Sequence, residues 1–319
     1  MIRIMLALLL GLVGTASAQD RWPSRTITIV VPYSAGTAPD VIARQFGEVL
    51  STRLGQPVVI DNKLGAGGLI GTEFAAAAPG DGYTLLLGTK DTQAVLAHLY
   101  PGRKFDPNKA LTPISLLGRI ANVIVARPDL DVGSMKELIE ASRRGRNFTF
   151  ASPGVGTNLH LLGELVRTQE NLNLTHVPYR VFSTAFQDAM AGRVDLIVAG
   201  LPPAAALLEA KKIKALAVAT PARIPALPDT PTLAELGYPE LTFLGWFGLL
   251  APAGTPQEIL DRLNAEAKLI VQQDAYRSRM EKIHVEAVAT GIAEFKALIE
   301  TESARMGELV RKIEVKLEN

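Results

Sequence analysis

Short runs of β-branched residues alternate along the chain with longer stretches of helical periodicity, a pattern that forces βαβ units and parallel strands. Thr26-Ile-Thr-Ile-Val-Val31 reads as a strand, and Asp40 to Leu54 as a helix with Ile42, Phe46, Val49 and Leu50 on one face. Gly55 stops it. Val58-Val-Ile60 and Tyr83 to Leu87 continue the strand pattern, and further strands are expected at Ile120 to Ala126, Phe148 to Ala151, Leu174 to Val177, Leu196 to Val198 and Ala215 to Ala219. Met135 to Ser142, Leu159 to Arg167 and Phe182 to Met190 supply helices between them, and Pro256 to Leu317 is mostly helical.

A chain of 319 residues with 48% apolar side chains buries a full core and divides into two domains. Two stretches, near Leu117 to Val125 and Leu241 to Leu250, read as crossings between them. The expected fold is α/β, with two Rossmann-like domains: residues 19–122 plus 246–319 as a discontinuous domain one, and 123–245 as an inserted domain two. Paired crossing strands of that kind are how hinge-closing proteins shut around a ligand.

The first residues carry Arg3, an apolar run from Ile4 to Val13 and Ala16-Ser17-Ala18 before Gln19. A charged start, a short apolar core and a small-x-small site describe a signal peptide, residues 1–18, cleaved after Ala18 on export to the periplasm. The run is shorter than the ~20 residues that span a bilayer. Losing the leader removes Arg3, leaving 32 basic against 32 acidic residues. Near-neutrality argues against nucleic acid as a partner. The chain has no cysteine, so it has no disulfide, thiolate nucleophile or lipidated cysteine.

Two strand-turn-helix junctions concentrate glycine and capping residues. In Val31-Pro-Tyr-Ser-Ala-Gly-Thr-Ala-Pro-Asp40, Thr37 stands as N-cap with Pro39 in the first turn and Asp40 at N3. In Ala151-Ser-Pro-Gly-Val-Gly-Thr-Asn-Leu-His160 the N-cap is Thr157. Free backbone N–H groups at the positive end of a helix dipole attract an anion. Ordinary capped βα turns would carry the same residue types. Gly65-Ala-Gly-Gly-Leu-Ile-Gly71 lacks the spacing and the lysine of nucleotide-binding loops and reads as a tight turn. His98, His160, His176 and His284 stand singly, without the i, i+4 pairing of a metal site. Ser152 lacks the first glycine of a nucleophile elbow, so no catalytic residue is assigned.

Taken together, several segments resemble one family, the periplasmic binding proteins of the tripartite tricarboxylate transporters, often called Bug proteins. They are Trp22-Pro-Ser-Arg-Thr-Ile-Thr-Ile-Val-Val-Pro32, Gly55-Gln-Pro-Val-Val, Gly65-Ala-Gly-Gly-Leu-Ile-Gly71, Asp81-Gly-Tyr-Thr-Leu-Leu-Leu-Gly-Thr89, Gly156-Thr-Asn-Leu-His-Leu161, His176-Val-Pro-Tyr-Arg180, Gly192-Arg-Val-Asp-Leu196, Ala226-Leu-Pro-Asp-Thr-Pro-Thr232 and Trp246-Phe-Gly-Leu-Leu-Ala-Pro-Ala-Gly-Thr-Pro256. The resemblance implies a type II periplasmic-binding-protein fold and a small carboxylate held at the two turns. It puts Tyr33, Ser34, Ala35, Thr37 and Thr89 of domain one opposite Ser152, Gly156, Thr157 and Asn158 of domain two. Membrane subunits of a tripartite transporter are the implied partner, with a monomeric receptor and no cofactor or metal.

The chain departs from the family pattern at Gly36-Thr-Ala-Pro39, where the family carries a run of glycines, and at Lys90, where it carries asparagine. Val181 and Phe182 follow Arg180 in place of glycine and small residues, and Ala199-Gly200 stands where Asp-Asn is frequent. Lys90, Arg180, Phe182 and Gly200 are therefore candidate ligand contacts. A lost acid with an added cation and aromatic suggests a ligand whose distal end is acidic or apolar rather than one with a free α-amino group. Two other functions stay open: ligand sensing for a sensor kinase, and an exported serine hydrolase built from Ser152 with His160 or His176.

Overall fold

The computed structural model describes residues 22–99 and 105–313; the proposed signal peptide, 1–18, lies outside the described residues. Among the described residues, eleven strands form two sheets. The strands are β1 (Ile27–Val31), β2 (Val58–Asn62), β3 (Thr84–Thr89), β4 (Leu111–Ile120), β5 (Asn122–Ala126), β6 (Phe148–Ser152), β7 (Leu174–Pro178), β8 (Leu196–Gly200), β9 (Lys214–Val218), β10 (Gly245–Pro252) and β11 (Glu286–Ala287). The first sheet has the order β11-β4-β10-β3-β1-β2 and the second β7-β6-β8-β5-β9.

The helices are α1 (Ala38–Leu54), α2 (Leu69–Ala76), α3 (Leu96–Leu99), α4 (Pro107–Ala110), α5 (Met135–Arg143), α6 (Asn158–Gln169), α7 (Ser183–Met190), α8 (Leu201–Glu209), α9 (Gln257–Val271), α10 (Asp274–Lys282) and α11 (Ile292–Ile313). A wide π-helical turn, Asp91–Val95, leads from β3 into α3. Such turns arise where one extra residue must be fitted into a helix, and they gather at functional sites.

The sheets are mixed rather than wholly parallel. β2, β1 and β3 run parallel, but β10 lies antiparallel to both β3 and β4. In the second sheet β6 pairs parallel with β7 and β8, while β5 is antiparallel to β8 and β9. β5 and β10 are strands that carry the chain between sheets, and the short β11 adds an antiparallel edge to β4. β4 ends at Ile120 and β5 starts at Asn122, so a single residue, Ala121, separates the first sheet from the second. The chain returns through Phe243 and Leu244, and Gly245 pairs with Ile120 at that crossing.

Local chemistry accounts for the elements that frame the cleft. α1 presents Ile42, Phe46 and Leu50, all fully buried, to the first core, and Gly55 ends it in the left-handed conformation at φ 68°. β1, paired on both sides by β2 and β3, is almost continuously apolar and buried, as a strand covered on both faces must be. Of the Gly65–Gly71 segment, read from its spacing as a tight turn, Gly65–Gly68 is that turn and Leu69–Gly71 is already the first turn of α2. At Gly68, φ is 97° and a side chain would meet the Thr92 methyl at 2.8 Å and the Tyr33 hydroxyl at 3.3 Å, so only glycine lets this backbone pass over Tyr33.

Candidate functional site

Each of the two junctions places a helix start at the end of an interior strand, and several of their amide groups already have partners within the chain. At the first, Thr37 holds the N-cap backbone position without capping: its hydroxyl donates to the Ser34 carbonyl at 2.7 Å. Asp40 reaches back to the Gly36 N–H at 2.9 Å and pairs with Arg44 at 2.9 Å. Those bonds, opposing the effect of burial, hold its carboxyl below the ordinary carboxylate range. Ser34 and Ala35 are exposed.

At the second junction Thr157 is a true cap, its hydroxyl accepting from the His160 N–H at 3.2 Å. Gly156 N–H donates to His160 Nδ1 at 3.1 Å, which makes Nδ1 the acceptor and leaves the proton on Nε2. Ser152 Oγ lies 2.7 Å from His176 Nε2, and the His160 and His176 rings stand 4.1 Å apart beside Phe150. Burial pushes both histidines down to about 4, so both rings are neutral near pH 7. Histidines that stand apart in the sequence are thus brought into one stack. Ser152 meets His176 and not His160, and its side chain is completely buried, so it ties β6 to β7. Among the described residues no group of three or more His, Asp or Glu side chains is arranged to hold a metal ion.

Between the junctions lies a residue that no local motif marks. Asp91 accepts from the Asn158 N–H at 2.6 Å and from Asn158 Nδ2 at 2.8 Å with one carboxylate oxygen. Its other oxygen accepts from the Tyr33 hydroxyl at 3.3 Å. Tyr33 also contacts Thr89 Oγ1 at 2.9 Å. Asn158 is bonded in turn to Asn122, which holds the Phe243 carbonyl at 2.8 Å. Tyr33, Thr89, Asp91, Asn158, Asn122 and Phe243 therefore form one network from the first sheet through both crossings to the start of α6. Burial raises Asp91 above the usual carboxylate range, and burial beside Asp91 raises Tyr33 well above its own.

The remaining candidates go elsewhere. Lys90, 2% exposed, pairs with Glu302 of α11 at 2.5 Å and lies 4.5 Å from the centre of the Phe243 ring, so its ammonium is committed to the second crossing. Gly200 is buried, and a side chain there would strike Ile120 at 2.6 Å; its role is close packing at the first crossing. Arg180 is exposed beyond the end of β7, and Phe182 packs edge-on against Phe186 at 5.5 Å. Neither makes a described contact with the Tyr33–Asn158 network. The sign that would have pointed to Asp91 is its place immediately after a buried strand end, where an acid must find donors.

With this geometry in view, the similarities are specific. The model of the tripartite tricarboxylate transporter family receptor matches residues 42–315. Protein BugT of Bordetella pertussis is 33% identical over 96% of this chain and 94% of its own. The R. palustris protein Rpa4515, solved with adipate, superposes with a TM-score of 0.86 at 33% identity, covering 92% of this chain and 99% of that one. MatC from Rhodopseudomonas palustris, with bound malate, gives 0.83 at 30% identity, covering 90% and 99%. Two α/β units joined by crossing strands, with this match along nearly the whole described chain, are the type II periplasmic-binding-protein fold, and the chain belongs to the tripartite tricarboxylate transporter receptor family.

Proposed function

We propose that this chain is a periplasmic receptor that takes a small carboxylate between two domains, residues 19–122 plus 246–319 and residues 123–245, and hands it as a monomer to the membrane subunits of a tripartite transporter. One observation carries the reading: the starts of α1 and α6, which follow strands of different sheets, are joined through Tyr33, Asp91 and Asn158 into one hydrogen-bonded floor. A ligand resting on that floor faces both helix N-termini. Adipate and malate, bound by two relatives, are carboxylates of the size such a floor would hold. We assign Ser34, Ala35 and Thr37 to the carboxylate, Gly156 and Thr157 to the side of the cleft that faces the rest of the ligand, and Arg180 and Phe182 to the wall that selects its distal end.

A thermal-shift screen of small aliphatic and aromatic acids identifies the ligand, because a compound that binds only the folded state raises Tm. Calorimetry then compares the acid with its methyl ester and amide. Hydrogen bonds to a charged group contribute roughly 1.5–3 kcal/mol each, so neutralising the acid weakens binding at least about tenfold. Equal affinity for acid and amide would overturn the reading.

A further inference from the structure

The first amide of α6 is already occupied by a carboxylate, and it is the protein's own. Asp91 leaves the first sheet at the end of β3, yet its oxygen lies 2.6 Å from the backbone nitrogen of Asn158, which opens α6 after the second sheet. Three donors point at this side chain: the Asn158 N–H, the Asn158 amide and the Tyr33 hydroxyl. No acceptor does among its described hydrogen bonds, which is the environment of an ionised carboxylate rather than a neutral acid. The residue as a whole is partly exposed, while its carboxylate is buried among these donors.

Two neighbouring amides are engaged as well. Gly156 N–H is held by His160, and His160 N–H by Thr157. A ligand carboxylate directed at α6 would have to displace Asp91 from Asn158 or lie beside it as a like charge, and both are unfavourable. At α1 the corresponding acid, Asp40, is paired with Arg44 and with Gly36, so its charge is compensated, and the turn before it, Ser34 and Ala35, is open to solvent.

We propose that Asp91 is a specificity-determining residue: its internal carboxylate takes the α6 amide, leaves the α1 turn for a single ligand carboxylate, and makes the receptor favour monocarboxylates over dicarboxylates of the same length. This rests on the carboxylate-binding reading above. It also gives Asp91 a positioning role, since the same bonds fix Asn158 and through it the first crossing at Asn122.

The test uses hexanoate and adipate, which share a chain length and differ in one terminal charge, with the wild-type protein, Asp91→Asn and Asp91→Ser. Asparagine keeps the shape and removes the charge; serine removes both. Affinities come from calorimetry, and the fold is checked by circular dichroism and Tm. In both variants the adipate-to-hexanoate affinity ratio rises at least about tenfold, whatever the change in hexanoate affinity itself. If Asp91→Ser does not fold, Asp91→Asn decides. A ratio that stays put or falls while hexanoate still binds overturns the role of Asp91 and leaves the carboxylate reading standing. If none of the screened acids binds either form, the carboxylate reading fails and this proposal falls with it.

Discussion

His160 and His176 are buried as neutral rings, and this makes stability depend on pH in a definite direction. Burial, with Arg167 adding to it for His160 and the other ring adding to it for His176, lowers each to about 4. An unfolded histidine titrates near ~6.5. Between those values the unfolded chain binds more protons than the folded one, so stability falls as pH drops from about 6.5 to about 4. Asp91 acts in the opposite sense: its raised carboxyl takes a proton in the fold before it does in the unfolded chain, which favours the fold as pH falls. The clean readout is a difference between proteins. His176→Gln retains a partner for Ser152 and cannot titrate, so its Tm falls less steeply over this window than that of the wild type. Equal slopes would mean that the stacked rings titrate as exposed ones do.

At the scale of elements, α1 and α6 begin alike in sequence and differently in space. Thr157 caps α6 with its side chain, whereas the Thr37 hydroxyl closes a local turn onto Ser34. Thr157→Ala therefore costs about 1 kcal/mol of stability, the usual cost of a lost N-cap, and Thr37→Ala costs less than half as much. Urea denaturation of the two variants measures the contrast, and equal losses would contradict the assignment. The contrast also marks what a sequence holds. β1, α1 with Gly55, and β6 were legible because strand propensity, helical period and a left-handed glycine are local properties. Leu201-Pro-Pro203 looks like a helix breaker in sequence, yet it starts α8, since proline is tolerated in a first helical turn. The crossings were legible near Ala121 and Leu244, but the antiparallel place of β10 between β3 and β4 depends on pairings distant in sequence. Lys90 read as a ligand contact because nothing near it in sequence reveals Glu302, and Asp91 went unread because its donors, Tyr33 and Asn158, lie on other elements.

For the molecule as a whole, the element that matters most is the last helix. α11 packs Phe295 and Ile299 into the first sheet, with Phe295 against Gly248 and edge-on to Trp246 at 5.5 Å. Met306, Leu309 and Val310, further along the same helix, pack with the core of the second sheet. Midway, Glu302 holds Lys90, Arg305 donates to the Glu240 and Thr242 carbonyls, and the Phe243 ring lies between the two cations. The helix is thus fastened to both sheets and to the returning crossing, and a rigid rod fastened at both ends couples their unfolding. Both tryptophans, Trp22 and Trp246, lie in clusters of the first sheet, so fluorescence reports on that sheet while far-ultraviolet circular dichroism reports on the whole. The two transitions of the wild type should coincide. Met306→Ala removes a fully buried side chain on the second-sheet side at a cost of about 2–5 kcal/mol, and it should lower the fluorescence midpoint together with the dichroism midpoint. If fluorescence keeps its wild-type midpoint while dichroism shifts, the sheets melt independently, and α11 is packed across the two without joining them.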